Sequence, residues 1–142
     1  QVLVNLLKNS LDSLREVYPL SSRWSAPPVR ITADLETSTY PSMLRIQVTD
    51  AGAGIAESVI SRMFEPFFST KEDGMGMGLN ICRSIIESHH GRLWAKNHMD
   101  TEHTRLVGCT FTILLPFESS HISKSSIGNT NESKQSPENS PS

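Results

Sequence analysis

Apolar side chains recur at Val2, Leu3, Leu6, Leu7, Leu11, Leu14 and Val17, the spacing of one helix face over residues 2–18. Pro19 predicts the stop. At 100° per residue, Asn5, Asn9, Asp12 and Glu16 fall together on the opposite face, so the leucines point to a core and the helix presents a row of polar ligands. The Ser- and Pro-bearing stretch 21–28 reads as a loop. Val29, Ile31, Ala33 and Leu35 then alternate with Arg30, Thr32, Asp34 and Glu36, the pattern of a half-buried strand. After a turn over 37–42, Leu44, Ile46 and Val48 alternate with Arg45, Gln47 and Thr49 as its hairpin partner. That strand runs directly into Asp50-Ala51-Gly52-Ala53-Gly54-Ile55, and Val59, Ile60 and Met63 then mark a short amphipathic helix. A loop spans 65–77. A helix is predicted from about Gly78 to His89, with Leu79, Cys82, Ile85 and Ile86 on one face and Gly91 as its C-cap within a residue. Leu93 to Ala95 begin a further strand, and Cys109, Phe111, Ile113 and Leu115 alternate in a last one that Pro116 ends. The class is α+β, with helices on one face of a mixed or antiparallel sheet.

The 142 residues suit about one domain. Apolar residues at 37% and aromatic residues at 6% are sparse for a chain folded throughout, and the shortage is concentrated in residues 118–142. That segment is rich in Ser, Asn, Lys and Pro with only Ile122 and Ile127 as large apolars, so it is expected to be a disordered tail or linker behind a folded domain over 1–117. A formal charge of -2 argues against a general grip on nucleic acid phosphates. No stretch has the roughly 18 apolar residues of a membrane span. Cys82 and Cys109 each sit in an apolar run and read as inert buried thiols in a reducing compartment. Because the chain starts at Gln1 and is helical from the outset, an upstream part of a longer protein is expected.

Chemistry concentrates in the glycines. Gly74-Met75-Gly76-Met77-Gly78-Leu79 has no strand before it and Leu79 where a dinucleotide fingerprint needs its last glycine. A Walker-type phosphate loop is absent as well. What remains is a glycine-rich loop opening onto a helix N-terminus, a place suited to phosphate but equally compatible with a surface loop.

Four motifs in order are more informative: Asn5-Leu6-Leu7-Lys8-Asn9, Asp50-Ala51-Gly52-Ala53-Gly54, Phe64-Glu65-Pro66-Phe67-Phe68 and Gly74-Met75-Gly76-Met77-Gly78. Together they resemble the N box, first glycine box, phenylalanine box and second glycine box of sensor histidine kinases, with the nitrogen-regulation and PAS-linked kinases nearest in look. The resemblance covers Gln1 to about Phe117, within the wider superfamily of gyrase, chaperone and mismatch-repair ATPases. It implies a two-layer α/β sandwich of the Bergerat type, with a mixed, mostly antiparallel sheet, holding ATP between the first helix and a short lid. By position, Asn9 would ligate Mg²⁺ that bridges the phosphates, with Asn5 supporting it one turn earlier. Asp50 would accept the adenine amine, a contact that guanine's carbonyl cannot make, while Gly52, Gly54 and Ile55 would pass close to the base. Phe64, Phe67 and Phe68 would anchor the lid, Gly74, Gly76, Gly78 and Leu79 would form it, and Lys71 would meet the terminal phosphates.

The chain departs from the pattern in places. Asp12 and Ser69 stand where some relatives carry a Lys and an Arg, Ser10 stands at a usual Ala, and His90 replaces a glycine at a helix end. None of His89, His90, His98, His103 and His121 has the acceptor pattern of a phosphorylated histidine. The resemblance therefore implies a cytoplasmic catalytic domain that binds Mg-ATP and phosphorylates a histidine in an upstream dimerisation domain. A response regulator would be the next partner, the full-length protein a homodimer and this portion alone a monomer. Two alternatives are an ATP-hydrolysing clamp or chaperone, which would carry a water-activating Glu where Asn5 stands, and a catalytically silent nucleotide-sensing module.

Overall fold

The computed structural model describes residues 1–18, 28–70 and 76–117. The loop expected at 21–28, apart from Pro28, and the tail expected at 118–142 lie outside the described residues. The described elements are α1 (Val2–Val17), β1 (Val29–Glu36), β2 (Ser42–Asp50), α2 (Glu57–Ile60), α3 (Gly78–Ser88), β3 (Arg92–Met99) and β4 (Leu106–Phe117). The four strands form one antiparallel sheet in the order β1-β2-β4-β3. The α+β class, with helices on one face of the sheet, is as the alternation predicts.

Register explains the core. Val48 faces Phe111 and Ile46 faces Ile113, while Leu93 and Ala95 of β3 pair with Ile113 and Phe111. Directly opposed residues share a face, so these side chains make one apolar surface, on which α1 lays Leu6 and α3 lays Cys82 and Ile86. The opposite face carries Gln47, Thr49, Thr110, Thr112 and His98, tied by Thr49 to Thr110 at 2.8 Å and His98 to Thr110 at 2.6 Å.

Several boundaries and burials differ from the sequence pattern. Ile31 and Leu35 are each 49% exposed, because β1 is an edge strand and the helices cover the middle of the sheet. Leu3, Leu11 and Val17 are also exposed, since only one stripe of α1, through Leu6, Ser10 and Leu14, meets the sheet. The amphipathic segment after Ile55 supports one short turn of helix, and Met63 is buried from the turn beyond it. β4 continues through Pro116 to Phe117, with Pro116 opposite Met43. At the end of α3, within a residue of the predicted C-cap, His90 takes the left-handed conformation (φ 59°); His90 N–H donates to Glu87 O and Gly91 N–H to Ile86 O, each at 2.9 Å.

Gly108 shows how tightly the end of the sheet is built. Its φ is +139°, and a Cβ there would run into the Asp50 carbonyl. Gly108→Ala should cost about 2–4 kcal/mol, from an unfavourable backbone and a steric conflict that neither strand can relieve. Gly78→Ala, where a Cβ meets nothing within 4 Å, should change stability by no more than about 1 kcal/mol. Chemical denaturation of the two variants checks the contrast, and equal midpoints would remove the steric argument.

Candidate functional site

The polar face of α1 divides into two regions. Asn5, Lys8 and Asn9 line a cleft of ≈ 440 Å³, closed on its other side by Met63, Phe68 and the 76–79 segment. Asn5 Nδ2 donates to Cys82 Sγ at 3.4 Å, which turns the amide nitrogen toward α3. Asp12 lies outside this cleft, beside Arg15 at 3.2 Å, and Glu16 is exposed, so the predicted row of four ligands reduces to Asn5 and Asn9.

One turn further along α1, next to the Asn9 flank, Ser13 meets the glycine loop that follows Asp50. Asp50 is 4% exposed at the end of β2, and its Oδ1 accepts the Gly52 N–H at 3.0 Å. Burial raises its pKa above the ordinary 3.8; the Gly52 N–H and the Ser10 hydroxyl beside it oppose that rise without cancelling it. The Ser13 hydroxyl accepts the Ala53 N–H at 3.0 Å, and a Cβ on Gly52 would strike the same serine. Gly54, at φ +74°, turns the chain toward β3, where Asn97 Oδ1 accepts the Ile55 N–H at 2.9 Å and Asn97 Nδ2 donates to Ile55 O at 2.6 Å. A loop without regular structure is thus held at the amides of Gly52, Ala53 and Ile55 by Asp50, Ser13 and Asn97. Asp50, Gly52, Gly54 and Ile55 are not among the residues lining the cleft; the loop they frame meets α1 one turn further along, at Ser13.

The phenylalanines separate in role. Phe64 packs against the core, with its carbonyl accepting Asn80 Nδ2 at 3.0 Å, and Phe68 lines the cleft. Phe67 is 78% exposed and held at φ 62°. Gly76 lies directly on the Phe67–Phe68 peptide; a Cβ there would stand 2.5 Å from the Phe67 carbonyl carbon, so no larger residue fits. Leu79 reaches both cleft and core. Lys71 and Gly74 lie outside the described residues. Of the two cysteines, both buried and free, Cys109 has its thiol pushed up to about 12 by burial and by the nearby Asp50 charge, consistent with an inert thiol.

Sequence patterning missed Ser13 and Asn97. The signal for Asn97 was available: it occupies the inward position after Leu93 and Ala95, where a polar side chain must find partners. Ser13 carried no comparable signal, because serine is ordinary on a helix flank.

These elements define an α+β domain with a cleft between its first helix and a glycine-bearing segment. Residues 1–119 match the family described as histidine kinase-, DNA gyrase B-, and HSP90-like ATPase, and the chain belongs to that family. It is 39% identical over 116 residues to the sensor protein FixL of Bradyrhizobium diazoefficiens, covering 82% of this chain and 20% of FixL. With the sensor protein TdiS of Thauera aromatica it shares 45% identity over 93 residues, 66% of this chain and 16% of TdiS. Among solved structures, the nucleotide-free catalytic domain of the histidine kinase ThkA is similar at TM-score 0.55 and 32% identity, covering 82% of this chain and 64% of that one. Full-length ShkA in complex with AMPPNP is similar at TM-score 0.60 and 25% identity, covering 82% of this chain and 20% of ShkA. The chain spans about a fifth of FixL's length and less of TdiS's.

The raised pKa of Asp50 has a measurable consequence. Between 3.8 and the higher native value, the folded state holds the proton that the unfolded state has lost, so Asp50's contribution to stability falls as pH rises through that window. Asp50→Asn should abolish this slope and make the unliganded chain more stable than wild type at pH 7, with the Gly52 hydrogen bond retained by the amide oxygen. Thermal melts of both proteins from pH 3 to 7 test this; their difference isolates Asp50 from Asp100, whose pKa is lowered chiefly by the Thr104 N–H. A less stable variant at pH 7 would contradict the desolvation account.

Proposed function

We propose that this chain is the catalytic ATP-binding domain of a cytoplasmic sensor histidine kinase, which passes the γ-phosphoryl group of Mg-ATP to a histidine in an upstream dimerisation domain, from which it goes to a response regulator. The observation that carries the reading is the double duty of α1. Its Asn5 and Asn9 enter the cleft while Ser13, one turn beyond Asn9, holds the glycine loop that follows Asp50 through the Ala53 N–H. One rigid element thereby fixes the distance between a phosphate end and a base end. The names of FixL, TdiS and ThkA, and the AMPPNP bound to ShkA, support the same assignment.

In this reading Asp50 accepts the adenine amine, and the peptides of Gly52, Gly54 and Ile55 wall the base. Phe68, Gly76, Gly78 and Leu79 flank the phosphates, with Phe64 and Phe67 at the base of the lid and Lys71 and Gly74 within it. The donor set suits Mg²⁺ that enters with the triphosphate: the cleft offers neutral amides, and among the described residues no group of three or more His, Cys, Asp and Glu side chains could hold a metal. Asn9 would hold the ion, with Asn5 in support, and bound Mg²⁺ would neutralise charge on the phosphates. The chain's own work is binding and orientation, since phosphoryl transfer depends mainly on in-line geometry and charge neutralisation. Asn5, an amide tethered to Cys82, cannot take a proton from water as a carboxylate can. Among the described residues no helix is long and apolar enough to cross a membrane.

Calorimetry should find Mg-dependent binding of ATP and ADP and no comparable binding of GTP. Asp50→Asn should weaken ATP by about ten- to a hundredfold, the worth of one hydrogen bond to a charged group. Equal affinity for GTP, or an unchanged variant, would remove Asp50 from the base.

The transfer itself is tested by adding the upstream histidine domain of the same protein as a separate chain. An acid-labile, alkali-stable phosphate should appear on that domain, Asn9→Ala should abolish it, and His89→Ala should leave it intact. ATP hydrolysis by this chain alone should stay near background. Rapid turnover would favour a hydrolysing clamp, and tight ATP binding without transfer would favour a silent sensing module.

A further inference from the structure

The ladder between β2 and β4 ends at Asp50 opposite Cys109, and on the other flank of β4 the same Cys109 is opposite Asn97. Asp50, Cys109 and Asn97 therefore form one row across three strands, all on the helix-covered face. The 51–55 loop straddles this row. Asp50 grips its start through the Gly52 N–H, and Asn97 grips its end through the backbone N–H and C=O of Ile55, at 2.9 and 2.6 Å. A primary amide offers one donor and one acceptor side by side, so Asn97 pairs with a peptide as a neighbouring strand would, at a level where the loop has left the β2 ladder. Gly54 is pressed into the same corner, where a Cβ would lie 3.0 Å from Leu106 and 3.3 Å from Asn97 Oδ1.

From this arrangement we infer that Asn97 is a positioning residue for nucleotide binding: it sets the Gly54–Ile55 backbone against the base and acts on affinity through that peptide, without touching the nucleotide. The inference rests on the nucleotide reading given above and adds to it a residue outside the four motifs. Holding the loop in its bound shape before the ligand arrives removes an ordering cost from binding. Loss of the clamp therefore appears in affinity and leaves the phosphate end, built on Asn9, unchanged.

The test uses two variants of the chain. Asn97→Leu removes both hydrogen bonds at similar volume, and Asn97→Asp keeps the acceptor for Ile55 N–H but faces Ile55 O with a second oxygen. Each should weaken Mg-ADP by about tenfold, the loss expected for one or two ordinary hydrogen bonds. In the transfer assay each should raise the KM for ATP by about the same factor and leave kcat within about twofold. Amide exchange should quicken at Ile55 but not at Ile113, which reports the intact sheet. Unchanged ADP affinity in the variants, or a fall in kcat without a rise in KM, overturns the inference. So does faster exchange at Ile113 in step with Ile55, which would mark Asn97 as a support of the whole fold; if Asn97→Leu does not fold, Asn97→Asp alone decides. Asp50→Asn separates the two readings. If it weakens ADP while both Asn97 variants bind normally, only the role of Asn97 fails; if wild type does not bind ADP, the nucleotide reading fails and this inference with it.

Discussion

The backbone just beyond β2 must pass between α1 and β4 at a separation that leaves no space for side chains, and much of the molecule is arranged around that passage. Gly52 abuts Ser13 on one side and Gly108 abuts the Asp50 carbonyl on the other. Since backbone so placed cannot be hydrated freely, its N–H groups need partners from the protein. Asp50, Ser13 and Asn97 provide them, and each arrives from a different element. The site is consequently a property of the whole α/β stack, even though its glycines are contiguous in sequence.

In the proposed reading, Asp50 brings the opposing interests of folding and binding into one side chain. A carboxylate 4% exposed is a burden on the empty fold, as its raised pKa records, yet the same desolvation strengthens any hydrogen bond it makes to a ligand. Helix α1 leaves room for the loop that follows Asp50 by presenting the small side chain of Ser13, whose hydroxyl accepts the Ala53 N–H.

Much of this was legible in the chain because it was local. The period of α1, with Asn5 and Asn9 on one face, and the alternation in β2 and β4 depend on residues within a few turns of one another, whereas Asp50 and the glycines were picked out by their resemblance to the kinase motifs. Burial was less legible, because it depends on which strand ends at an edge: Ile31 and Leu35 alternate as well as Ile46 and Val48 do, but lie on an edge strand that α1 meets more sparsely than it meets β2. Nor does helical periodicity say how wide a stripe is covered, so Leu3 and Leu11 match the pattern and still meet water. Asn97 and Ser13 were missed because their partners are 42 and 40 residues away. Residues 71–75, with Lys71 and Gly74, lie outside what the structure describes.

An open sheet has two margins, and here neither β1 nor β3 has a further strand paired to it among the described residues. On β1, backbone donors and acceptors stand beside half-exposed Ile31 and Leu35, a combination that invites another chain to add itself as a fifth strand. Charge guards this margin: Arg30, Asp34 and Glu36 project from its far face, with Arg45 of β2 at 3.8 Å from Asp34 and 4.0 Å from Glu36. Arg92 and Lys96 occupy the corresponding face of β3. Exposed ion pairs of this kind add little to folding stability. Their value lies in colloidal behaviour, keeping a concentrated population of such domains from growing edge to edge into aggregates.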